Sequence, residues 1–183
     1  MSLHKDPELK SAVLNLSQKE KDKLLVRLVN KDKLLMKQLH FQLLENEDDL
    51  ENRIEVLKLK LKDLFDNTSI KISNTPILSN FKALNIILRQ ASGLINEHEK
   101  VTKDKFSAAE CRLYILTYPY HQYPRLYENS TLQVSEKLHK YVIARIKTAL
   151  KNISVLHEDL QFDLQEDTLI LDEIREKLER VTR

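Results

Sequence analysis

A single glycine, Gly93, stands in 183 residues, and that scarcity excludes more than any motif includes. A dinucleotide-binding fingerprint or a P-loop needs several glycines where backbone must come close to phosphate, so neither can be built here. The G-x-S-x-G nucleophile turn fails for the same reason, because its glycines permit a strained strand-to-helix bend. Tryptophan is absent and prolines are few: Pro7, Pro76, Pro119 and Pro124. The chain therefore lacks the turn residues that a β-sandwich or barrel uses about every ten residues. Cys111 is the one cysteine. It rules out an internal disulfide and multi-cysteine zinc centres, and it fits a reducing cytosol. No apolar run reaches the roughly eighteen residues of a membrane span, and the N-terminal Met1-Ser-Leu-His-Lys-Asp-Pro-Glu has no apolar core of signal-peptide length. A cytoplasmic chain without a membrane partner is the expectation.

What is present is helix-forming material. Charged residues make up 32% and hydrophobic residues 42%, a balance that folds rather than stays disordered. The formal net charge of +2 is unevenly spread. Residues 1–40 carry +4, 41–66 carry −4, 67–151 carry +7 and 152–183 carry −5. Such alternation suits helices that dock on one another, or a basic middle that faces a polyanion.

Local signals divide the chain into helices. Asp6-Pro7 reads as an N-cap followed by proline at the first helical position and predicts a helix over 7–15. Ser17-Gln-Lys-Glu20 is a capping box that opens a second helix, 18–29, and Asn30 separates it from a third, 31–45. Leu50, Ile54, Leu57, Leu61, Leu64 and Phe65 recur at steps of three and four, which predicts a long helix over 48–66. From Pro76 the pattern resumes through Phe81, Leu84, Leu88, Ala91 and Ile95 to about Lys100. Ser107-Ala-Ala-Glu110 and Ser130-Thr-Leu-Gln133 are two further capping boxes, placed in helices of 104–118 and 131–153. Residues 154–166 read as a continuation of the latter, and a last helix covers 167–181.

These signals predict an all-α chain, an irregular array of about seven helices. A single helical domain over 1–183 is expected, with a possible division into N-terminal hairpins, 1–66, and C-terminal helices, 76–183, joined by the polar, partly β-branched linker 67–75. The successive hairpins of the first 66 residues resemble α-α superhelical, HEAT-like proteins in general, without the residue signatures of any named family. A helical bundle is the alternative.

Five of the six tyrosines fall in the fourteen residues from Tyr114 to Tyr127. Pro119 and Pro124 are expected to break the helix there. Tyrosine joins an apolar ring to a polar tip, which suits a recognition surface. Tyr118, Tyr120, His121, Tyr123, Arg125 and Tyr127 are therefore the candidate partner-binding residues, within a loop of 118–129. The competing reading is that these rings plug the core beneath an interhelical loop.

Other constellations are thinner. Glu136-Lys-Leu-His139 has the E-x-x-H spacing of carboxylate-bridged di-metal bundles, but a second such motif is absent, and a solvated helix flank is expected. His98 between Glu97 and Glu99, and His157 before Glu158 and Asp159, read as ordinary polar helix faces. Cys111 reads as a small buried hydrophobe. Neither a cofactor nor a metal site is implied, and no catalytic residue is assigned. The preferred reading is a non-catalytic helical interaction or scaffold protein that binds a partner protein through a helical surface or the tyrosine-rich loop. The alternatives are a nucleic-acid-binding protein using the basic middle, 71–151, and an enzyme with a dispersed site.

Overall fold

A computed structural model describes residues 3–69, 72–129 and 131–182. The described chain is all-α: nine α-helices and two short 3-10 turns, with no strand among the described residues. It divides into two compact units, 1–45 and 46–183.

The first unit holds α1 (Pro7–Leu14), α2 (Gln18–Lys31) and α3 (Lys33–Leu44). Its helix starts follow the sequence signals. Asp6 caps α1 by accepting from the Leu9 N–H at 3.0 Å, with Pro7 in the first turn. At α2 the Glu20 carboxylate accepts from both the N–H and the hydroxyl of Ser17. Those bonds hold the Glu20 carboxyl below its ordinary range. Asp32 ends α2 and caps α3 by accepting from the Leu34 and Leu35 N–H groups. None of the unit's described residues is buried, and Leu25, Val26, Leu28, Leu43 and Leu44 are exposed.

The second unit contains the core. It comprises α4 (Glu47–Ser69), α5 (Leu78–Thr102), α6 (Lys105–Gln122), a 3-10 turn (Pro124–Tyr127), α7 (Gln133–Ile153), α8 (Glu158–Asp163) and α9 (Gln165–Val181). Helix α5 packs on α4, α6 and α7, while α9 packs on α6 and α7. Each stripe of buried residues keeps helical spacing: Leu57, Leu61 and Phe65 on α4; Phe81, Leu84, Leu88, Ala91 and Ile95 on α5; Leu138, Val142, Ile146 and Ala149 on α7. Burying each large side chain contributes about 1.5–3 kcal/mol, so these stripes rather than helix propensity hold the unit together.

Several boundaries depart from the sequence expectations. The segment 154–166 does not continue α7; a turn at Ser154 separates it, and the short α8 follows. Of the expected linker 67–75, residues 67–69 finish α4, Ile72 is buried in the core, and residues 70 and 71 lie outside the described ones. Asn80, itself buried, anchors the stretch that follows by donating to the Ser73 and Thr75 carbonyls and the Ser73 hydroxyl at 2.9–3.1 Å. Ser107 does not cap α6. Asp104 does, accepting from the Phe106 N–H, after Lys103 reverses the chain in the left-handed region at φ 62°. Ser130 of the third expected capping box lies outside the described residues; α7 starts at Gln133.

Candidate functional site

The tyrosine-rich segment is more regular and more buried than its prolines suggest. Pro119 does not break α6; it is buried inside the helix, which runs on to Gln122. Proline in a helix interior removes one backbone hydrogen bond and costs about 3 kcal/mol, so tertiary packing must hold this last turn. The aromatic contacts supply that packing. Tyr118 lies 5.2 Å from Phe65 and 5.3 Å from Tyr114, centroid to centroid. Tyr120 meets Tyr127 edge-on at 5.3 Å, and the Lys177 ammonium sits over the Tyr120 ring, 5.1 Å from its centroid.

Among the six candidate residues, Tyr123 and Tyr127 are buried, Tyr118 and Tyr120 half-buried, and only His121 and Arg125 exposed. Even Arg125 is tied down, since its backbone N–H donates to Asn74 Oδ1 at 2.8 Å. Tyr127 is fully buried with its hydroxyl unpartnered, and burial pushes its ionisation far above the ordinary range. The structure brings these rings together as a wall of the core. It does not gather them on one open surface.

The histidines likewise turn inward. His139, expected on a solvated flank, is buried; its Nε2 meets the Leu126 carbonyl at 2.8 Å and its ring stacks against Tyr127. Burial pushes its pKa down, and the Leu126 carbonyl opposes that in part. Glu136, its E-x-x-H companion, is exposed and paired with Lys140. The two halves of that motif therefore face different surroundings. His98, expected on a polar face, is buried with Nε2 2.9 Å from the Ser107 hydroxyl, and desolvation lowers its pKa. Cys111 is buried beside a 280 Å³ pocket between α4 and α6, and burial first, then Glu110, pushes its thiol up to about 11. It is therefore protonated at neutral pH and is a poor nucleophile. The described residues contain no group of three or more His, Cys, Asp or Glu placed to hold a metal ion. Among the described residues, none of the helices is long and apolar enough to cross a membrane.

An open feature of the second unit lies elsewhere, a groove of about 660 Å³ between α5 and α7. Its apolar part is formed by Phe81, Ile86, Val134 and Tyr141. Ile86 is 55% exposed although it sits on a helix with ten buried residues. Lys82 and Arg89 on α5, and Lys137 and Lys140 on α7, line the same groove. Arg89 and Arg145 both stack on Tyr141, their guanidinium carbons 4.6 and 5.3 Å from the ring centroid. Arg89 is further steadied by donating to Asn85 Oδ1 at 2.7 Å, and the Tyr141 hydroxyl lies 3.3 Å from Ser92 Oγ. Tyr141 is thus the sixth tyrosine, outside the conspicuous cluster, and it organises a concavity lined by four cationic side chains.

The sequence signal for this groove was present. Lys82, Ile86 and Arg89 fall at i, i+4 and i+7, and Lys137, Tyr141 and Arg145 at i, i+4 and i+8, so each triple shares a helix face. Comparison with protein families, with curated proteins and with solved structures gave no match.

Proposed function

We propose that the chain is a non-catalytic helical interaction protein whose second unit is a folded platform, and that a partner protein docks in the α5–α7 groove rather than on the tyrosine-rich segment. The observation that carries this reading is the groove itself, where exposed Ile86 is flanked by Lys82, Arg89 and Lys137. An exposed apolar residue inside a ring of polar ones is the anatomy of a docking surface. The groups that chemistry would recruit support the non-catalytic side. Cys111 is held as a protonated thiol, Ser107 and His98 are closed into the core, and Glu136 is separated in environment from His139.

The test is affinity capture of proteins from the source cell with three baits: the wild-type chain, Arg89→Glu with Lys137→Glu, and Arg125→Glu. Partners retained by wild type and by Arg125→Glu, but lost from the groove variant, support the reading. The same partners on all three baits would sink it. The basic groove also gives the nucleic-acid reading a concrete location. Electrophoretic binding with single- and double-stranded probes at two salt concentrations decides it, since phosphate-driven binding falls steeply with salt.

A further inference from the structure

The groove also specifies the chemistry of its occupant. We propose that it binds an acidic amphipathic α-helix, about two turns of it in contact, supplied by the partner protein. This rests on the reading of the α5–α7 groove as the docking surface.

Length comes first. From Phe81 to Arg89 the groove follows α5 for about 12 Å, and from Val134 to Tyr141 it follows α7 for about 10 Å, at a rise of about 1.5 Å per residue. Two helical turns, about 11 Å, match that span. Shape comes second. A channel between two packed helices accepts the side-chain ridge of a third helix. Strand addition by an extended peptide, by contrast, needs an open sheet edge, and the described residues form no strand.

Charge decides the sign. Lys82, Arg89, Lys137 and Lys140 line the groove, Arg145 stacks on its Tyr141, and Lys140 is paired with Glu136. Arg89 and Arg145 are stacked on Tyr141, so their guanidinium groups are oriented before any ligand arrives. A pre-oriented guanidinium loses less conformational freedom on meeting a carboxylate and presents it with a planar fork. The occupant therefore carries Asp or Glu on both flanks of its helix and Leu, Ile or Phe at i, i+3 or i+4 and i+7, facing Ile86 and Val134. A nucleic acid fits less well. The apolar lining residues of the groove give phosphates nothing, and the ring that a base would stack on already carries two guanidinium groups.

The probe is a fluorescein-labelled peptide of about 18 residues, long enough for partial helicity in isolation, with Leu at i, i+3, i+4 and i+7 and Glu on the remaining face. It is compared by anisotropy with a scrambled peptide of identical composition and with a short DNA duplex, using the full chain. The proposal expects saturable binding of the amphipathic peptide, at least about tenfold weaker for the scrambled one. It also expects about tenfold loss in Arg89→Glu with Lys137→Glu, and the same in Ile86→Asp, one tenfold step corresponding to 1.4 kcal/mol. Arg125→Glu binds like wild type, and thermal melts establish that each variant is folded. Equal binding of both peptides overturns the helical occupant while leaving an anionic docking groove intact. Binding of the duplex alone, abolished by the same groove variants, overturns the helix and the protein-docking reading together. Absence of any saturable peptide binding overturns the proposal, and the capture experiment then decides independently whether the groove docks a protein.

Discussion

Replacing Tyr127 separates a core role from a recognition role, because two substitutions at that one position are expected to act in opposite directions. The ring is fully buried, meets Tyr120 edge-on and stacks on His139, so Tyr127→Ala empties a core site. Aromatic-to-alanine changes in such places cost about 3–5 kcal/mol. Tyr127→Phe keeps the ring and removes only a hydroxyl that has no hydrogen-bond partner. A buried hydroxyl left unpaired is penalised by about 1–3 kcal/mol relative to water, so its removal is expected to be neutral or to stabilise by up to about 1 kcal/mol. For a chain of this size, 1 kcal/mol corresponds to about 2–4 °C in Tm. Urea unfolding followed by far-UV circular dichroism measures both variants, with the slope checked for constancy so that midpoint shifts report stability. A loss of 1 kcal/mol or more in Tyr127→Phe would show that the hydroxyl is satisfied in solution. A loss below about 1 kcal/mol in Tyr127→Ala would refute the core assignment of the whole segment.

Three further outcomes follow from buried polar groups. His98 and His139 both have lowered pKa values, chiefly through desolvation, so they stay neutral in the folded chain at pH values where the unfolded chain protonates them. The unfolded state then binds more protons, and stability should fall as pH drops below about 6.5. Urea midpoints from pH 7.5 to 5 test this, and His139→Gln should flatten the dependence; a midpoint that rises toward pH 5 contradicts the account. Asn80→Ala should cost about 1–3 kcal/mol, because it strips donors from the Ser73 and Thr75 carbonyls, and a change within experimental error would mean the stretch after α4 is held by other contacts. Cys111 should react with a thiol reagent at pH 7.5 at least about a hundredfold more slowly in the native chain than in urea, given its burial and its raised pKa. Equal rates in the two states would show that the α4–α6 interface opens readily.

The helical architecture was legible because its signals are local. Asp6-Pro7, the Ser17 and Glu20 pair, and the stripes on α4 and α5 each act within one or two turns, where the chain cannot avoid its own neighbours. Ser107 shows where that stops. Its capping-box spacing is intact, yet Asp104 caps the helix three residues earlier and Ser107 is free to meet buried His98 across the turn. Pro119 fails as a breaker for a related reason, since the penalty of a helical proline is smaller than what the packing of Tyr118, Tyr120 and Tyr127 contributes. Whether a tyrosine cluster is surface or core depends on which helices lie over it, and no local pattern carries that information. The groove was half legible in the same sense. The two cationic stripes can be read from spacing along α5 and along α7, but that these helices lie side by side cannot.

The most direct test of the docking assignment is where an acidic helical peptide perturbs the chain. In amide and side-chain NMR spectra titrated with that peptide, the account predicts that the largest shifts fall on Lys82, Ile86, Arg89, Val134, Lys137 and Tyr141, with Tyr123 and Tyr127 unmoved. Shifts concentrated on His121 and Arg125 and the segment around them, with Ile86 and Tyr141 silent, would contradict it.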